Sequence, residues 1–162
     1  MHDPLHPHSH DPNPEPPSPD PTITLTLPNN HGGQQAHPIT PQHLQTLPQF
    51  TLIDCYIIST GHGTSGPFTF TGTTLHTLIQ EHTAQFPDYN HIEVISSDGF
   101  GTRITRSELE SPANPNRPIL LAWSIDGRPL TRHEGLIRLI VPTETDDALR
   151  QVKWIGRINI KR

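Results

Sequence analysis

Residues 118–125, PILLAWSI, form an apolar run that ends on Asp126-Gly127, and residues 136–141 (LIRLIV) and 152–160 (VKWIGRINI) follow it. A short, mostly apolar segment closed by a turn dipeptide predicts a strand buried on both faces. The two segments after it predict further strands. Upstream, residues 91–96 (HIEVIS) alternate at period two and end at Asp98-Gly99, with residues 103–105 as a hairpin partner. Residues 50–58 (FTLIDCYII) predict another core strand, which breaks at Ser59 into a glycine-rich loop, and residues 68–70 resume extended structure.

Helices are few and early. Thr40 before Pro41 is an N-cap with proline at the first helical position, and Pro48 stops that helix after Leu44 and Leu47. Thr73 or Thr74 caps a second, with Leu75, Leu78 and Ile79 at helical spacing before a break near Pro87. Residues 22–27 (TITLTL) read as a short edge strand and residues 28–38 as a loop. Strands outnumber helices without βαβ alternation, so the expected class is α+β, with a mixed, largely antiparallel sheet and short helices.

Eight of the 19 prolines fall in residues 1–21, with His2, His6, His8 and His10 and a single aliphatic side chain, Leu5. That segment has too little apolar surface to offset its ordering entropy and is expected to be a disordered leader. The resulting division is a leader at 1–21, an edge strand and linker at 22–38, and one domain at 39–162. A net charge of −5 argues against a general nucleic-acid binder, although Arg128, Arg132, Arg138, Arg150, Lys153 and Arg157 gather late in the chain. Acids cluster around Asp146 and Asp147. No apolar run reaches the roughly 18 residues of a membrane span, and no signal-peptide pattern opens the chain. The expectation is a cytoplasmic protein without membrane or nucleic-acid partners.

Three groups could carry chemistry. Cys55 is the only cysteine; a lone cysteine in an apolar strand is most often a small buried hydrophobe. Its place ahead of a glycine-rich loop also suits a thiolate ligand for a soft metal. The loop at 59–66, containing His62 and Gly63, offers amides and hydroxyls suited to an anion, yet it lacks the lysine and spacing of a Walker loop and could be an ordinary hairpin connection. His133, Arg138 and Lys153 form the third group. Arg138 interrupts an apolar strand, where a long cation either snorkels to solvent or lines a pocket that needs positive charge. The leader histidines could hold a transition metal weakly or act only as a solubilising tail.

Together these segments resemble the molybdopterin-binding oxidoreductase domain of the sulfite oxidase family. The resemblance rests first on LLAW (120–123), IDGRPL, RHEGLIRLIVP with His133 and Arg138, and the closing VKWIGRINI. SSDGF (96–100) and FTFTGTTLHTLIQ (68–80) add to it, and Cys55 falls where the family places a metal-ligating cysteine. It implies a sulfite oxidase-like fold over about residue 39 to the end. By resemblance, the cofactor is molybdenum–molybdopterin with Cys55 as the protein ligand to the metal. His62, Gly63, His133, Arg138 and Lys153 would contact the pterin or its phosphate. The implied activity is oxygen-atom transfer or a reductase reaction on a small molecule, with electrons passing to a separate partner. Two rival readings stand beside it: a non-catalytic binding module that keeps the fold, and a metal-handling protein working through the leader.

Overall fold

The computed structural model describes residues 20–29, 32–59, 63–84, 86–142 and 150–162. The leader histidines, His31, His62, Asp146 and Asp147 lie outside the described residues. Ten strands and three short helices follow one another along the described chain: β1 (Ile23–Pro28), β2 (Gln34–Ile39), α1 (Pro41–Thr46), β3 (Phe50–Ser59), β4 (Gly63–Thr74), α2 (Leu75–Gln80), β5 (His91–Ser96), β6 (Gly101–Thr105), α3 (Arg106–Glu110), β7 (Leu120–Ile125), β8 (Arg128–Pro129), β9 (Arg138–Ile140) and β10 (Ile155–Lys161).

The strands form two sheets. One has the order β2-β1-β10-β5-β6; the other runs β3-β4-β7-β8, with β9 also on β7. All pairings are antiparallel except β1 with β10, which is parallel. The mixed, largely antiparallel α+β class expected from the sequence is therefore present.

β7 organises the interior because it feeds two cores, alternating at period two as far as Trp123, where a register shift against β4 intervenes. Leu121 faces the larger core with Leu75, Leu78, Ile79, Leu139 and Ile158, and Trp123 packs against it. Leu120, Ala122 and Ile125 face a smaller core with Leu52, Cys55, Phe70, Leu130 and Ile140. Asp126 and Gly127 both take positive φ, 49° and 84°, and close the β7–β8 hairpin as the Asp-Gly pair suggests.

Two readings of the N-terminal region are corrected. Residues 22–27 do not make an edge strand: β1 lies between β2 and β10. Residues 28–38 are not all loop, since Gln34–Ile39 pairs with β1 along its length. The edge strand β2 escaped notice because it exposes Gln34, Ala36 and Pro38 and buries only Ile39. Of the caps, Thr40 and Thr74 perform as expected, each accepting from the third backbone N–H of its helix at 3.1 Å. Helix α3 was not expected, although Thr105 and Glu108 form a full capping box.

Two imidazoles meet where β2 passes the end of α2. The rings of His37 and His82 lie 5.0 Å apart, and the Nε2 of each is buried without a hydrogen-bond partner. Burial holds the His82 pKa below its ordinary 6.5, helped by His37 and His43 and opposed by Glu81. The unfolded chain therefore binds a proton more readily than the folded one. The favourable term is complete above pH 6.5 and is lost as pH falls through the lower folded-state value. Melting temperatures should drop between pH 7.5 and pH 5.5, and His82→Leu should flatten that limb; an unchanged slope would refute the assignment.

Candidate functional site

Cys55 sits in β3 where the strand departs most from regular pairing. The register against β4 shifts between Leu52 and Cys55 and again between Cys55 and Ile57. Asp54, just before it, has φ of 52°. Such irregularities re-aim a side chain out of the normal alternation. The outcome is a Cys55 only 1% exposed, turned into the smaller core, while its neighbours Ile53 and Tyr56 are 58% and 50% exposed.

Arg138 approaches from the opposite side. It is the first residue of β9 and pairs with Ala122 of β7, whose small side chain leaves room beside it. The residue is 9% exposed, its guanidinium carbon lies 6.0 Å from the centre of the Phe70 ring, and its Nε is buried without a partner. Burial pulls the Arg138 pKa down to about 10, while Cys55 and Glu134 oppose that shift. The guanidinium remains protonated at neutral pH. Burial pushes the Cys55 thiol up from its usual value, and the charges of Arg117 and Arg138 pull it back.

The core thus holds a thiol and a cation with unused hydrogen-bonding capacity. That arrangement is poor for stability, because a buried unsatisfied cation costs more than the apolar group that could replace it. Arg138→Met should leave the cofactor-free chain as stable as wild type or about 1–2 kcal/mol more stable in urea unfolding. A loss of several kcal/mol would show that Arg138 is a structural element.

The other residues singled out from sequence lie apart from this pair. His133 is exposed on the turn between β8 and β9. Lys153 is half-buried, and its side chain packs so closely on Gly135 that a Cβ there would stand 2.9 Å from the lysine Cβ. Lys153 Nζ lies 5.7 Å from the centre of the Trp154 ring. The backbone holds this turn together: Trp154 N–H donates to Gly135 O at 3.0 Å, and the indole N–H donates to Arg132 O. The structure therefore brings Lys153 to the His133 turn and Arg138 into the electrostatic range of Cys55.

Beside the turn, Ser97, Gly135, Leu136, Ile137, Trp154 and Ile155 line a shallow, tightly closed cleft, with Asp20 and Pro21 also against it. Three lining residues have positive φ: Gly135 at 114°, Leu136 at 59° and Trp154 at 50°. Strain of this kind in bulky residues concentrates at ligand sites. Glu134 is not a loose acid here. Both its oxygens accept from Arg128, at 2.6 and 2.7 Å, and this pairing with the Thr131 N–H holds its pKa down to about 2.

Gly63 pairs with Ser59 at the end of the β3–β4 hairpin, exposed, with φ of 81°. Residues 63–66, read as loop from the sequence, belong to β4 instead, and Gly66 packs against the backbone of Cys55. Among the described residues, no three His, Cys, Asp or Glu side chains are grouped to hold a metal ion. No helix among them is long and apolar enough to cross a membrane. Sequence reading missed Arg117, whose guanidinium reaches Ile53 O at 2.9 Å and Asp54 O at 3.4 Å beside Cys55.

In this α+β domain a buried thiol thus lies within the electrostatic reach of two guanidiniums, Arg117 and Arg138. The family follows from comparison: a family model described as "Oxidoreductase molybdopterin binding domain" matches residues 35–162, and the chain belongs to that family. It is also similar to mitochondrial sulfite oxidase of Homo sapiens, 35% identical over 71 residues, which is 43% of this chain and 13% of that protein. The Rattus norvegicus and Mus musculus sulfite oxidases match with the same figures. The match therefore spans a small part of each relative's length.

The residues present fit the group this family binds. Cys55 would supply a soft sulfur donor, and the Nε of Arg138, buried without a partner, would supply a hydrogen-bond donor for negative charge.

Proposed function

We propose that this chain binds a molybdenum–pterin cofactor in a sulfite oxidase-like fold and serves as an oxidoreductase domain, with Cys55 as the protein ligand to the metal. The observation that carries this reading is Arg138, a buried cation with an unused donor, set beside the Phe70 ring that shares a core with the lone thiol. When bound, the cofactor supplies oxygen-atom transfer or reductase chemistry.

The chain's own residues supply the rest. Arg138 and Arg117 favour the thiolate form of Cys55 against the penalty of burial. His133, on the strained turn beside the cleft, and Lys153, packed against Gly135 of that turn, are the groups for the pterin and its phosphate, with Gly63 at the hairpin end and His62, outside the described residues, as further contacts. The substrate in this reading is a small molecule, electrons pass to a separate partner, and the setting is cytoplasmic.

The test is metal analysis of the full chain from a host that makes the cofactor. About one molybdenum per chain is expected, unchanged when His2, His6, His8 and His10 become glutamine. Absence of molybdenum would overturn the reading. That result would favour a binding module that keeps the fold without the cofactor, a reading for which the 1% exposure of Cys55 is the specific argument. Nickel or zinc lost with the leader histidines would point to metal handling instead.

A further inference from the structure

Arg117 stands on a turn that its own sequence dictates. In Asn114-Pro115-Asn116-Arg117, the Arg117 N–H donates to Asn114 O at 2.9 Å and the Asn116 N–H to Asn114 Oδ1 at 3.0 Å. Asparagine first and proline second are the residues such a turn favours, since proline presets φ and the amide side chain closes on the backbone. The guanidinium leaves this fixed base and crosses to β3, 64 residues earlier, to the carbonyls of Ile53 and Asp54.

Those carbonyls flank the strained point of the strand. Asp54, at φ of 52°, stands in the left-handed region that side-chain-bearing residues adopt only occasionally. On the other side β4 presses close: a Cβ on Gly66 would stand 2.7 Å from Cys55 O. The Cys55 peptide is thus held between the backbone of β4 and the arginine bound to the two preceding carbonyls.

We propose that Arg117 is a positioning residue, whose hydrogen bonds to Ile53 and Asp54 hold the double bulge that turns the Cys55 sulfur inward toward Arg138. The proposal rests on the cofactor reading for its purpose, but its physical content concerns the chain alone. Arg106 provides a matched control. It also donates to two carbonyls, Pro87 O at 2.7 Å and Tyr89 O at 3.2 Å, and it packs on Tyr89, which belongs to the larger core.

The experiment compares Arg117→Ala, Arg117→Lys and Arg106→Ala by two readouts. One is molybdenum per chain from a cofactor-producing host; the other is amide hydrogen exchange at Cys55 and Tyr56 in cofactor-free chain. Arg117→Ala is expected to lower molybdenum at least tenfold and to speed exchange at those amides at least tenfold. Arg117→Lys, which can reach one carbonyl, should fall between, and Arg106→Ala should move neither readout. Wild-type exchange in Arg117→Ala, or equal loosening in Arg106→Ala, would overturn the proposal. If Arg117→Ala fails to fold, the same comparison between Arg117→Lys and Arg106→Ala decides it. A wild-type chain without molybdenum, but with faster exchange in Arg117→Ala, would sink the cofactor reading and leave the positioning role standing.

Discussion

Replacing Cys55 with serine should abolish molybdenum binding, to below about one hundredth of the wild-type content, in chain that still folds. The expectation follows from donor chemistry. A thiolate is a soft donor that forms when the thiol gives up its proton to a metal, whereas a serine hydroxyl is hard and stays protonated, so it cannot replace sulfur on such a metal. The stability cost is modest by comparison. A hydroxyl placed in the apolar setting of Leu52, Phe70 and Ile140 loses water without a guaranteed partner, worth about 1–3 kcal/mol. Cys55→Ala separates the two effects, because it removes the donor without burying a new polar group. Both variants should lose the metal, and alanine should cost less stability than serine. Full metal content in either would remove Cys55 from the ligand set.

A second large effect is expected where β4 crosses β7. A Cβ on Gly72 would stand 1.9 Å from Leu121 O, 2.7 Å from its carbonyl carbon and 2.8 Å from Ala122 Cα. All three atoms are backbone, so no rotamer change relieves the clash; β7 itself must shift. Because β7 feeds both cores and pairs Ala122 with Arg138, displacement reaches the whole interior. Gly72→Ala should therefore cost more than about 3 kcal/mol in urea unfolding, at the upper end for overpacking, or prevent folding outright. Gly127→Ala is the comparison: its φ is 84° but a Cβ there meets open space. That variant should lose only about 1–2 kcal/mol, the left-handed backbone cost alone. Equal effects in the two variants would refute the steric argument.

The sequence disclosed these features unevenly, for physical reasons. β7 was legible because a strand buried on both faces must be mostly apolar, and PILLAWSI, with Ser124 its one hydroxyl, is. The β7–β8 turn was legible because Asp-Gly fits two successive positive φ values. β2 was hidden because an edge strand need bury only one side chain in six, and QQAHPI carries a proline besides. α3 is five residues long, too short for periodicity, so only its Thr105–Glu108 box marked it.

At the site, Cys55 and Arg138 could be singled out because each breaks its local pattern, a thiol in an apolar strand and a cation in another. Their meeting could not be read, since it depends on two register shifts in β3 and on β9 pairing with β7. Arg117 left no signal at all. Its partners are main-chain carbonyls, which every residue possesses, so nothing in Ile53 or Asp54 announces that an arginine far along the chain will bind there.

The parallel pairing of β1 with β10 bears on how the molecule is made. Leu25 sits opposite Ile158, and Thr26 Oγ1 donates to Asn159 Oδ1 at 2.6 Å across 133 residues of chain. At synthesis rates of 5–20 residues per second, β1 waits on the order of ten seconds for its partner to leave the ribosome. Until then Ile23, Leu25 and Leu27, all fully covered in the finished fold, lack the Ile155, Ile158 and Ile160 side of the core they share. Among the described strands β10 alone links β1 and β2 to β5 and β6, so that sheet is completed only after the chain through Ile160 has been made.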